Sequence, residues 1–232
     1  MSPDDLVARY PRLYHMAHQG SWPAIREHGL LSTKALLDLY QVVGPDRGAV
    51  ETARRPALAH ISRPGLPGAT IRDQKPMSDS ALRKCLQDGL EPSDWYKILN
   101  GYSYFWLSPG RVRKLLQARA YRDSLQTVLV LDTAGLVTRY EKRIRLSAIN
   151  SGSTIRNALP RGLKTFLPIA EFPFAERAKR RALADNVVEL VIDHSVPDVA
   201  TSVRTVWEVR GPDVLREIYR SPQATLSDGF GC

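Results

Sequence analysis

The 232-residue chain is poor in cysteine and in long apolar runs. Cys85 and Cys232 are its only thiols, too few for a disulfide framework or a thiolate metal cage. No apolar run approaches the ~18–20 residues that span a bilayer, and the opening MSPDDLVARY lacks the basic start and apolar core of a secretory leader. The expected setting is therefore cytoplasmic, with no membrane partner. Gly-x-Ser-x-Gly, the Walker A loop and Gly-x-Gly-x-x-Gly are all absent, which removes the sequence basis for serine-hydrolase, P-loop and Rossmann hydride-transfer chemistry. Five histidines are scattered along the chain. His15 and His18 stand three apart with no further ligand at matching spacing, so no metal is expected.

What is present reads as globular: 43% hydrophobic and 25% charged residues. Lys plus Arg number 33 and Asp plus Glu 24, a formal net charge of +9. Such a balance suits a polyanion partner, and it equally suits plain solubility. Residues 1–116 carry 16 basic and 11 acidic groups and residues 117–232 carry 17 and 13, so there is no basic tail. Three local clusters stand out: Arg111, Arg113, Lys114, Arg119 and Arg122; Arg139, Lys142, Arg143 and Arg145; and Arg177, Lys179, Arg180 and Arg181.

The hydrophobic pattern mixes helices and strands without a βαβ repeat, which predicts one α+β domain over residues 1–232. Short helices are expected at 21–28, with Ser21 as cap and Gly29 as stop, at 33–40, from Ser78 to about Asp88, and after Pro92. Basic helices are expected from about Pro109 to Tyr121 and over 173–184, and a closing helix over 211–220. Tyr102–Leu107, Gln126–Asp132, Ile144–Ile149, Val187–Asp193 and Thr205–Arg210 read as strands. Residues 44–76, dense in Pro and Gly, read as a loop-rich insertion.

Glu189 is the anomaly. It lies inside Val187-Val188-Glu189-Leu190-Val191-Ile192, a strand otherwise fit for burial, and a buried carboxylate is costly unless bonded or paired. An edge strand with a solvated face would accommodate it, and so would the floor of a cleft where a perturbed carboxylate is put to use. The stretch Asn150-Ser151-Gly152-Ser153-Thr154-Ile155-Arg156 is either an ordinary polar turn or a substrate loop.

A second feature is the string Leu13-Tyr14-His15-Met16-Ala17-His18, then Ser21-Trp22-Pro23-Ala24-Ile25, then Glu27-His28-Gly29-Leu30-Leu31-Ser32. It resembles the opening of the DarT-type ADP-ribosyltransferases, in which a Tyr-His-Ile-Thr-His strand precedes an Asn-Leu-Pro helix and a His-Gly-Leu exit. Ala17 stands where that family has Thr, and Ser21 where it has Asn. The aromatic strand of the family is matched by Tyr102-Ser103-Tyr104-Phe105-Trp106-Leu107, and its terminal strand Glu followed by Pro by Val188-Glu189-Leu190-Val191 and Val196-Pro197. The whole chain is also similar to bacterial proteins of unknown function related to that superfamily.

The resemblance implies a split antiparallel sheet with peripheral helices, and an enzyme that takes NAD as a substrate and transfers ADP-ribose to DNA or RNA. A toxin or anti-phage effector, with an antitoxin as partner, belongs to the same expectation. It implies Glu189 and Arg72 as catalytic residues and His15, Met16, Ser21, Gly29, Leu30, Tyr104 and Trp106 around NAD. His15 would bond the adenosine-side ribose, the Met16 main chain the nicotinamide amide, and Tyr104, Phe105 or Trp106 would stack on nicotinamide. Arg111, Arg113, Arg119, Arg122 and Asn150, with Arg180 at the margin, would meet the nucleic acid. Two other readings share the fold: an NAD-dependent RNA 2′-phosphotransferase, and a catalytically inactive module that binds nucleic acid or protein.

Overall fold

The computed structural model describes residues 1–155 and 158–230, so Arg156 and Cys232 lie outside the described residues. The chain opens with α1 (Pro3–Arg9), whose Ser2–Asp5 capping box satisfies its first N–H groups. Next come β1 (Arg12–His18), α2 (Trp22–His28), β2 (Leu30–Leu31) and α3 (Thr33–Leu39), the last capped by Ser32 accepting from Ala35 N at 3.1 Å. The Pro- and Gly-rich insertion is less loop-like than expected: it folds as α4 (Gly44–Glu51) and a hairpin of β3 (Ala59–Ile61) with β4 (Ala69–Ile71).

After it follow α5 (Asp79–Arg83), α6 (Pro92–Asn100), β5 (Tyr102–Trp106), α7 (Pro109–Leu116), β6 (Leu125–Asp132) and α8 (Thr133–Tyr140). Then come β7 (Ile144–Ser147), β8 (Phe166–Leu167), α9 (Phe174–Ala178) and α10 (Leu183–Asn186). β9 (Glu189–Asp193), β10 (Ser195–Val196), β11 (Val203–Arg210) and β12 (Asp213–Arg220) complete the order. Among the described residues no helix is long and apolar enough to cross a membrane.

Eight strands form one antiparallel sheet in the order β12-β11-β6-β1-β5-β9-β7-β8, flanked by helices. It is two four-stranded halves. β1 pairs with β6 at seven positions and β5 with β9 at five, whereas β1 and β5 pair only at Tyr14–Trp106. Alternation along the strands sorts the side chains to two faces. Leu13, Phe105, Leu129, Leu131, Leu190 and Ile192 pack one face into a continuous core with Leu6, Trp22 and Leu136. The other face carries two separate cores. One lies under β5 and β9 with Trp95 and Tyr96 of α6, the other under β1, β6 and β11 with Val112 and Leu116 of α7. The break between them falls at the meeting of the two half-sheets.

Several expected elements are corrected. Residues 213–220 are the strand β12 rather than a closing helix: Gly211, at φ +53°, and Pro212 make a two-residue turn that pairs Arg210 with Asp213. The helix expected over 173–184 is two short ones, because Arg177 donates to the carbonyls of Asn186 (2.7 Å) and Asp185 (3.1 Å) and folds the chain back on itself. α5 stops at Arg83 rather than Asp88, since Gln87 N donates to Arg161 O and Arg161 N to Cys85 O, each at 2.9 Å. α7 ends at Leu116, and Tyr121 is spent on Asp73 (3.0 Å). Ser21 begins α2 without a side-chain capping bond.

Candidate active site

Past Tyr14 the first strand no longer ladders to β5, and His15 turns into the gap, donating from Nδ1 to Tyr104 O at 2.8 Å. Burial, assisted by the nearby Arg72 guanidinium, pushes this imidazole down to about 4. It is therefore neutral at pH 7, with its proton on Nδ1 and a free lone pair on Nε2.

Glu189 opens β9 opposite Trp106 and shares its face with Tyr104 and Trp106. It is 3% exposed, so the strand is not a solvated edge. Ser151 N donates to both carboxyl oxygens, at 3.3 and 3.2 Å. Burial pushes the carboxyl up to about 7, against the pull of Ser151, Arg111 and Arg161. The Tyr104 hydroxyl donates to Leu99 O at 3.2 Å, and burial together with the neighbouring Glu189 charge holds it well above the usual phenol range. Ser151 is wholly buried. Its carbonyl accepts from Arg161 Nη1 (2.9 Å) and Trp95 Nε1 (3.4 Å), and its hydroxyl, beside Glu189 and Tyr104, forms no hydrogen bond of good geometry.

Arg72 follows β4 and lies near His15. It donates to Gln126 Oε1 at 2.8 Å and lies 4.8 Å over the Tyr121 ring. Burial lowers its pKa, and among the described residues no carboxylate stands within ion-pair distance of it. Its carbonyl accepts from Arg55 Nε at 3.0 Å. Arg55 is buried, donates also to Asn100 Oδ1 at 3.0 Å, and is pushed down to about 10 by desolvation. Arg55 thus fastens the insertion to the end of α6 and sets Arg72 in place.

The structure brings Glu189, Tyr104 and Trp106 to one face, while His15 and Arg72 lie near each other, with the His15 ring 6.0 Å from that of Phe105 and bonded to the Tyr104 main chain. Met16 is buried under α7 with Val112, Leu116 and Phe230, which leaves only its main chain for a ligand. Phe105 faces the opposite core. Ser21, Gly29 and Leu30 belong to that opposite face as well: Trp22 and Leu30 are buried in its core, and β2 pairs with β10. Of the basic residues, Arg111 donates to Ala184 O at 3.0 Å, pairs with Asp185, and its charge reaches Glu189. Arg113 donates to Phe230 O at 2.7 Å. Arg119, Arg122, Arg180 and Asn150 are exposed, with Arg122 3.5 Å from Asp123. Arg111 and Arg113 are thus engaged with partners inside the fold. Two open surface recesses lie elsewhere. One, of about 310 Å³, is lined by Lys34, Lys97, Tyr102 and His194, and the other by Trp22, Pro23, Arg26 and Glu27.

Arg55, Arg161, Gln126 and Tyr121 were not among the expected site residues, and Ser151 was expected only as part of a stretch read as a turn or a substrate loop. Ser151 acts through its main chain, which no residue pattern reports, and the two arginines look in sequence like surface charge. A family model described as a family of unknown function (DUF7002) matches residues 11–203. No curated protein matches the chain.

Proposed function

The chain belongs to DUF7002, a family of unknown function whose matched stretch runs from just before β1 to the first residue of β11, and we propose that it is an NAD-dependent ADP-ribosyltransferase acting on nucleic acid. The observation that carries the reading is Glu189: a carboxyl 3% exposed, at the junction of two half-sheets, with its ionisation near neutrality. The three blocks behind the resemblance to DarT-type enzymes fall on β1, β5 and β9, three adjacent strands, which supports it. So does the side-chain chemistry: a buried Ser151 hydroxyl beside Glu189 and an Arg72 with no ion-pair partner among the described residues suit a ligand that brings hydroxyls and phosphates.

NAD would supply the ADP-ribosyl group and nicotinamide as the leaving group. Glu189, ionised, opposes the positive charge that develops on the ribose as the glycosidic bond breaks. Neutral His15 accepts a ribose hydroxyl at Nε2. Arg72 meets the pyrophosphate, and Tyr104 and Trp106 offer ring faces on the Glu189 side. The acceptor follows from charge: with +9 overall and Arg119, Arg122 and Arg180 exposed, a phosphate backbone is favoured over a protein surface. An effector or toxin role with a neutralising partner goes with this reading.

The test incubates the protein with labelled NAD and separates DNA, RNA and protein pools. Label is expected on nucleic acid. Glu189→Gln, which keeps volume and loses charge, is expected to retain NAD binding while turnover falls by about 10²–10³. In the parent, turnover is expected to rise with pH through about 7, as Glu189 ionises. Label on protein alone overturns the acceptor, and absence of NAD consumption and binding overturns the enzyme in favour of an inactive module.

A further inference from the structure

Arg161 is 2% exposed, and among the described residues no carboxylate lies within ion-pair distance of it. A guanidinium out of water without such a partner is costly, so the donors it does satisfy matter. Its main chain is bolted to the turn after α5: Arg161 N donates to Cys85 O and Gln87 N to Arg161 O. From that anchor Nε reaches Leu159 O at 3.1 Å and Nη1 reaches Ser151 O at 2.9 Å. With its carbonyl held there and by Trp95, Ser151 turns its N–H to both oxygens of Glu189.

We propose that Arg161 is the positioning residue of the Glu189 carboxyl, acting through the Ser151 main chain. It touches no reacting atom. It fixes the donor that the carboxyl receives, and so keeps the ionised form within reach at neutral pH. The other groups facing Glu189 are the Ser151 hydroxyl, Arg111 from α7 and the Tyr104 hydroxyl from β5, and the Arg161 charge itself also favours the carboxylate. Arg111 favours the carboxylate by charge alone, from a side chain tied to Asp185. For its effect on turnover the proposal rests on Glu189 as the catalytic carboxylate, and for its effect on ionisation it does not.

The test is a carboxyl ¹³C NMR titration of glutamate-labelled parent, Arg161→Gln and Arg161→Lys, with the Glu189 signal assigned by its loss in Glu189→Gln. Arg161→Gln is expected to raise the Glu189 midpoint by about one unit, tenfold in the ionisation constant. Arg161→Lys keeps the charge but not a fork that spans two carbonyls, and is expected to raise it by at least half as much. A midpoint that rises in Arg161→Gln and stays put in Arg161→Lys overturns the proposal, because charge alone then acts. Midpoints unmoved in both overturn it too. Where Arg161→Gln fails to fold, Arg161→Lys decides by the same criterion, with Trp95→Phe, which removes the second donor to Ser151 O, as its companion. Shifted midpoints in a parent that cleaves no NAD uphold the positioning role and sink the transferase reading.

Discussion

Glu189 costs the fold stability, and the sign of that cost is measurable. Its midpoint in the folded protein is pushed up from 4.5 to about 7. Between those values the folded state holds a proton that the unfolded chain has released, so stability falls as pH rises across the window. Above pH 7 the penalty is complete, on the order of 3 kcal/mol for a fully buried group. Glu189→Gln is therefore expected to melt well above the parent at pH 8 and close to it at pH 4, which thermal denaturation at the two pH values checks. His15 runs the other way. Its midpoint falls from 6.5 to about 4, so its contribution is present above pH 6.5 and is lost as pH falls toward 4. At this scale the carboxyl was legible because one charge stood alone in a strand of Val, Leu and Ile. Its supports were not. Ser151 serves with its peptide N–H, and Arg55 and Arg161 are cations that satisfy carbonyls in the interior, which no spacing announces.

Short helices capped by Ser, Pro and Gly were legible as far as their local chemistry decides them: α2, α3 and α6 begin and end close to where the caps put them. Gly29 shows why a stop residue can be irreplaceable. It sits at φ +85°, and a Cβ there would lie 2.5 Å from Pro197 Cα. Gly29→Ala is expected to cost about 2–4 kcal/mol, from left-handed strain plus displacement of β10, readable as a lower urea midpoint at unchanged slope. Elements decided by distant partners were misread. Val214, Leu215, Ile218 and Tyr219 repeat at a spacing that fits one face of a helix, yet the turn at Gly211 and the free edge of β11 make them a strand. The end of α5 is likewise set by Arg161, more than seventy residues on.

The order of the strands was beyond local patterning, because six of the seven neighbour pairings in the main sheet join strands separated by long connections. A mix of helices and strands was legible in the patterning, and the large antiparallel sheet with helices around it was what the resemblance implied. The clasp joining the two ends of the chain was not legible. Arg12 bridges Asp132 and Asp228, Thr205 donates to Asp228 O at 2.7 Å, and Phe230 is buried against Tyr14. Residues 204–230, which include most of β11 and all of β12, lie beyond the stretch matched by the family model. Phe230→Ala is expected to cost about 3–5 kcal/mol, as loss of a buried ring does, measured by chemical denaturation. The single pairing of Tyr14 with Trp106 has a mechanical consequence. Eight strands laddered throughout would resist shear as one plate, whereas two rafts joined by one ladder rivet, with the His15–Tyr104 bond beside it and a core shared on one face, would yield at the seam before any ladder inside a raft gives way. A molecule wedging in beside Glu189 would then flex that rivet rather than unzip a strand, and would be gripped from both rafts as they settle.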